Sequence, residues 1–66
     1  MKRFSTKAVK ERRKALGLTL DDMATLTGLK SKVSYWQYET GKYKMKAEML
    51  PKLALALQCH IEDFYV

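Results

Sequence analysis

A chain of 66 residues makes at most one domain, and at this length it buries only about 60% of the surface it exposes when extended, so its core is marginal. One Cys cannot pair internally, which leaves no disulfide framework, and no apolar run reaches the roughly 18 residues of a membrane span. The net charge of +6 and the pI near 9.6 suit a polyanionic partner, although a merely solvated basic surface has the same composition.

Met1 to Phe4 reads as a short, basic, frayed tail, without the apolar core of a signal peptide. Ser5 or Thr6 can cap a first helix that runs to about Leu16. Val9, Arg13 and Leu16 share one face of it, and an arginine on an apolar face needs a partner. Lys2, Arg3, Lys7, Lys10, Arg12, Arg13 and Lys14 stand against Glu11 alone in this first stretch. Gly17 closes the helix, and Leu18 plugs the gap before the next one.

A second helix is expected over Leu20 to Thr27. Thr19 is its N-cap and Asp22, three residues on, can reach back as in a capping box. Leu20, Met23, Ala24 and Thr27 form its apolar stripe, and Gly28 follows where a helix often ends in positive φ. Ser31 caps a third helix, Lys32 to Thr40, on which Tyr35 and Tyr38 share a face. Gly41 ends it. The loop Lys42-Tyr43-Lys44-Met45-Lys46 alternates cations with larger groups. A fourth helix runs from about Ala47 to Leu57, with Met49, Leu50, Leu53, Ala54 and Leu57 inward. Pro51 falls near its first turn, where a missing N–H costs little. His60 is placed to cap a final turn, Ile61 to Phe64. The expected fold is all-α, a compact domain of five short helices.

Residues 19–41 thus form a helix, a glycine-containing turn and a second helix, which is the helix-turn-helix plan. Its second helix stands proud of the body, as a major groove requires. The order and spacing of several residues resemble the phage Cro and lambda-type repressor family over roughly residues 7–64. They are Arg13, Gly17-Leu18-Thr19, Met23-Ala24, Gly28, Glu39-Thr40-Gly41-Lys42, the run Leu53 to Leu57, and Ile61-Glu62-Asp63-Phe64. The small size is most like a stand-alone Cro protein without a second dimerisation domain.

The resemblance implies that Arg13 pairs with Glu39 and locks the first helix to the third. It also implies that Lys32, Val33, Ser34 and Gln37 face DNA bases. The chemistry agrees: glutamine bonds an adenine edge, lysine donates to guanine, and valine meets a thymine methyl. Tyr35 and Tyr38 match core positions. Thr19, Lys42, Tyr43 and Lys44 are expected at phosphates, contacts that position without reading sequence. Trp36 is either a partly covered surface aromatic or a further sugar-phosphate contact through its indole N–H. Two features depart from the family. The segment Gly28 to Ser31 is one residue longer than usual, and Leu20, Asp21 and Asp22 replace a phosphate-clamping glutamine with a residue that cannot donate and two that repel an anion.

Met45, Gln58, Cys59, His60, Phe64, Tyr65 and Val66 either form a dimer surface or cover the domain's own core. Cys59 and His60 are metal-ligand types, but one of each in adjacent positions is poor geometry for a structural zinc, which takes four ligands. No catalytic constellation and no phosphate-binding glycine loop is present. No cofactor and no small-molecule substrate is expected. The sequence-level expectation is a cytoplasmic, non-enzymatic transcriptional repressor in a bacterial host, binding a pseudo-palindromic double-stranded operator as a homodimer. The alternatives are an antitoxin-like autoregulator and a protein-interaction module that uses the helix-turn-helix surface.

Overall fold

The computed structural model describes residues 2–66; Met1, the first residue of the expected tail, lies outside them. Four α-helices follow in order, α1 (Thr6–Ala15), α2 (Leu20–Thr27), α3 (Lys32–Glu39) and α4 (Met49–Ala56), and a 3-10 turn covers Ile61–Phe64. The fifth helix of the sequence reading is therefore a 3-10 turn. Four residues cannot complete a series of i→i−4 bonds, and the Asp63 N–H instead reaches the His60 carbonyl at 3.0 Å. His60 contributes main chain here, its own N–H donating to the Asp63 carboxylate at 2.9 Å.

Local signals place the helix starts. The Ser5 hydroxyl accepts from the Ala8 N–H at 3.1 Å. Thr19 and Asp22 form a complete capping box, with bonds of 3.1 and 2.9 Å. α4 starts two residues later than its apolar pattern suggests, because residues 46–50 first make i→i+3 turns (Met49 N–H to Lys46 O, Leu50 N–H to Ala47 O). Pro51 then falls in the first turn, where its missing N–H has no helical partner to lose.

α1 packs on α3 and on the 3-10 turn, and α2 packs on α3 and α4. Val9, Met23, Ala24, Tyr35, Leu53, Ala54, Leu57 and Phe64 form one buried cluster, to which every element contributes. Arg12, read from sequence as a flanking residue, clamps α1 to the end of α4. Its Nε donates to the Leu57 carbonyl at 2.9 Å and its Nη2 to that of Gln58 at 3.2 Å. These are carbonyls a helix C-terminus leaves unpaired. Gln58 itself takes a left-handed φ of 54°.

The segment at Arg3–Ser5 does not fray. It lies antiparallel to residues 64–66, with Arg3 and Val66 exchanging bonds of 2.9 and 3.0 Å and the Ser5 N–H reaching Phe64 O at 2.7 Å. The Phe4 ring meets Phe64 and Tyr65 edge-on, at 6.0 and 5.6 Å between centroids. An aromatic at position 4 supplies the contact area that a purely basic tail would lack.

The capping box carries a pH prediction. The Thr19 main-chain N–H, and secondarily its hydroxyl, hold the Asp22 carboxyl below its ordinary 3.8. A depressed folded-state pKa gives stability that is full above the unfolded value and is lost as pH falls through the folded one. Asp22→Asn is expected to remove this component, so the variant's thermal midpoint should fall less than the wild type's between pH 5 and pH 2, as read by circular dichroism.

Candidate nucleic-acid interface

α2 ends on Gly28, whose φ of +79° is a left-handed conformation that suits glycine. The Leu29 N–H closes back on Ala24 O at 2.8 Å, and Leu29 packs against the core. The chain bends at Lys30, and α3 starts after Ser31, whose hydroxyl accepts from the Ser34 N–H at 3.3 Å.

Tyr35 and Glu39, four residues apart, are the buried face of α3. At about 100° per residue, Val33 and Gln37 project away from that face, Ser34 lies beside Gln37, and Lys32 and Trp36 lie on one flank. Val33 is 56% and Trp36 49% exposed, both high for large apolar groups. Lys32 is exposed at the helix start, and Gln37 is half-buried. The Ser34 hydroxyl lies 3.2 Å from that of Ser31, so it belongs to the cap as well as to the outer face. Of the four expected base-facing residues, Val33 and Gln37 form the outward face, Ser34 lies beside it, and Lys32 stands on the flank at the exposed helix start.

What fixes the rotation of α3 is a buried ion pair. Arg13 Nε lies 3.0 Å from Glu39 Oε2, and Nη2 donates to Oε1 at 3.0 Å. Nη1 donates to the Leu18 carbonyl at 2.9 Å, so one guanidinium ties α1, the 16–19 turn and α3 together. The two-pronged geometry suits arginine and would not suit lysine. Tyr35 packs beside this pair. Its hydroxyl is buried without a hydrogen bond, and burial first, then the Glu39 carboxylate, push its pKa well above the usual tyrosine value.

The loop after α3 is anchored on the same helix. The Lys42 and Tyr43 N–H groups and the Thr40 hydroxyl converge on the Gln37 carbonyl at 3.0, 3.3 and 3.2 Å. The Tyr43 ring lies 6.0 Å from that of Tyr38, and Lys42 Nζ lies 5.9 Å from the centre of the Tyr43 ring. Lys42, Tyr43 and Lys44 are all exposed, a cationic shoulder at the C-terminal end of α3. At the start of α2 the field is opposite in sign, because Asp21 and Asp22 occupy the first turn. The Thr19 N–H is committed to Asp22.

A helix-turn-helix family model matches residues 9–64, from the first core residue of α1 to the last of the 3-10 turn. The chain belongs to the helix-turn-helix family. Membership makes it a DNA-binding regulator by type, with DNA as its partner. No curated protein and no solved structure matches the chain significantly.

The C-terminal residues lie in different surroundings. Phe64 is only 1% exposed and belongs to the core, which corrects its assignment to a dimer face. Gln58, Cys59 and His60 border an open cleft against Ala8 and Arg12, whereas Met45 and Tyr65 border a different hollow. Val66 is exposed. Burial, and then the Asp63 carboxylate, raise the Cys59 thiol's pKa. Among the described residues no group of three or more His, Cys, Asp or Glu is placed to hold a metal, and no helix is long and apolar enough to cross a membrane.

Proposed function

We propose that this protein is a sequence-specific repressor of the phage Cro type, a cytoplasmic, non-enzymatic homodimer that binds a pseudo-palindromic double-stranded operator. The observation that carries the reading is the division of α3. Tyr35 and Glu39 hold it from behind, while Val33 and Gln37 are presented outward, with Lys32 exposed on the flank at the helix start and a cationic loop at the other end. In the major groove, Gln37 bonds adenine N6 and N7, Lys32 donates to guanine O6 and N7, and Val33 covers a thymine methyl. Ser34 serves a base or an adjacent phosphate. Lys42, Tyr43 and Lys44, with the Thr19 hydroxyl and the Trp36 indole N–H, fix the register on the backbone. A second copy sets its α3 in the next major groove about 34 Å away, and the occupied operator excludes polymerase or a competing regulator.

Selection of bound sites from a random duplex pool near physiological salt tests this. A two-fold symmetric motif is expected. Gln37→Ala should relax one position in each half-site by about 1–3 kcal/mol of discrimination. Lys42→Ala should instead weaken binding to all sites alike and lower the salt slope by about one. Binding that is salt-sensitive but enriches no motif would overturn the operator reading. Binding of a protein with no steep salt dependence would favour an interaction module.

A further inference from the structure

A hollow of about 580 Å³ lies between the paired terminal segments and the loop that follows α3. Three aromatic rings, those of Phe4, Tyr43 and Tyr65, line it together with Met45. Arg3 and Lys44 are the charged residues on its walls, and no acidic side chain among the described residues borders it. Both cations are exposed, and neither takes part in an ion pair or a side-chain hydrogen bond among the described residues. The Phe4–Tyr65 edge contact, backed by the Arg3–Val66 main-chain bonds, holds one wall in place. The opposite wall is pinned through the Lys42 and Tyr43 N–H groups on Gln37 O. The volume is that of sites that take small molecules, and a largely apolar lining with a few convergent polar groups is their usual character.

We propose that this hollow binds a small aromatic anion, a planar ring bearing a carboxylate or a phosphate, and that its binding competes with DNA at Tyr43 and Lys44. The ring packs between Tyr43 and the Phe4–Tyr65 pair, and the anionic group lies between Arg3 and Lys44. Charge complementarity selects an anion over a neutral ring, because Arg3 and Lys44 are two unpaired cations on its walls. The competition rests on the DNA-binding reading above. The binding does not.

The test uses 2-naphthoate as probe and 2-naphthalenemethanol as its neutral counterpart, at fixed ionic strength and without DNA. Binding is followed through the Met45 methyl and the Tyr65 ring resonances in NMR spectra. Saturable one-to-one binding of the naphthoate is expected, with a Kd of about 1 mM or tighter for a ligand of this size. The neutral compound should bind at least tenfold more weakly. Arg3→Ala together with Lys44→Ala should cost the naphthoate tenfold or more, with the amide spectrum otherwise unchanged, since neither side chain supports the fold. Absence of saturable binding, shifts centred away from Met45 and Tyr65, or equal affinity for the two compounds would overturn the site. In a second arm, saturating naphthoate should weaken binding to a mixed-sequence duplex at least threefold. Unchanged duplex affinity would overturn the competition. Failure of the duplex to bind under any condition would instead overturn the DNA-binding reading and the competition with it, leaving the anion site judged by the first arm.

Discussion

Glu39→Gln is expected to lower the thermal midpoint by about 12 °C or more. The substitution keeps the size of the side chain but leaves the Arg13 guanidinium, 9% exposed, without a counter-charge. Removing one partner of a buried pair costs about 3–5 kcal/mol, and each kcal/mol moves the midpoint of a domain this small by about 4–8 °C. At about 0.05–0.15 kcal/mol per residue a fold of 66 residues holds about 3–10 kcal/mol, so the loss is a large share of the whole. Replacing both partners separates the cost of a stranded charge from the worth of the pair. Arg13→Met with Glu39→Met should recover most of the loss, because apolar groups of similar volume substitute well for a buried ion pair. Recovery should stop short of complete, since the Leu18 carbonyl also loses its donor. An unchanged midpoint for Glu39→Gln would mean that the pair contributes nothing to holding α3.

Phe64→Ala should destabilise by about 3–5 kcal/mol, the usual range for truncating a buried phenylalanine. The 3-10 turn that carries Phe64 packs on both α1 and α4, and the Phe4 ring meets it edge-on. The loss should be independent of protein concentration, because the ring is buried within a single copy. Val66→Ala, at a 70% exposed position, should stay within about 0.5 kcal/mol in a dilute sample. Urea titrations at two concentrations a hundredfold apart decide between the roles. A concentration-dependent loss for Phe64→Ala would return that ring to an interface between copies.

These two residues also mark what the linear pattern could reveal. The starts of the first three helices were legible because their causes are local: Ser5, Thr19 and Ser31 each cap a neighbour three residues away, and Gly28 stops α2 by its own conformation; α4, which has no side-chain cap, was placed two residues early. The resemblance named Arg13 and Glu39 as partners, although spacing alone showed only that Arg13 needed one. The role of Arg12 was not legible, since its acceptors are main-chain carbonyls 45 and 46 positions away and any residue type supplies a carbonyl. The core role of Phe64 was hidden for a related reason. A large apolar residue near a chain end looks the same whether its own domain or a second copy covers it. The base-facing set on α3 came from the resemblance, counted back from Glu39, because exposure on a helix looks the same in a linear pattern whether DNA or solvent meets it.

The pairing of residues 3–5 with 64–66 bears on the order in which the fold assembles. It closes nearly the whole chain into a single loop, and loop closure is costliest where the sequence separation is greatest. The contacts of α2 with α3 are between neighbours in sequence and can form early. The terminal pairing therefore belongs after the rate-limiting step. Perturbing it, by Phe4→Ala for instance, should accelerate unfolding and leave the folding limb of a chevron nearly unmoved. The terminal clasp then acts as a latch on the lifetime of the folded state, separate from the helical pair that reads as the earliest structure to form.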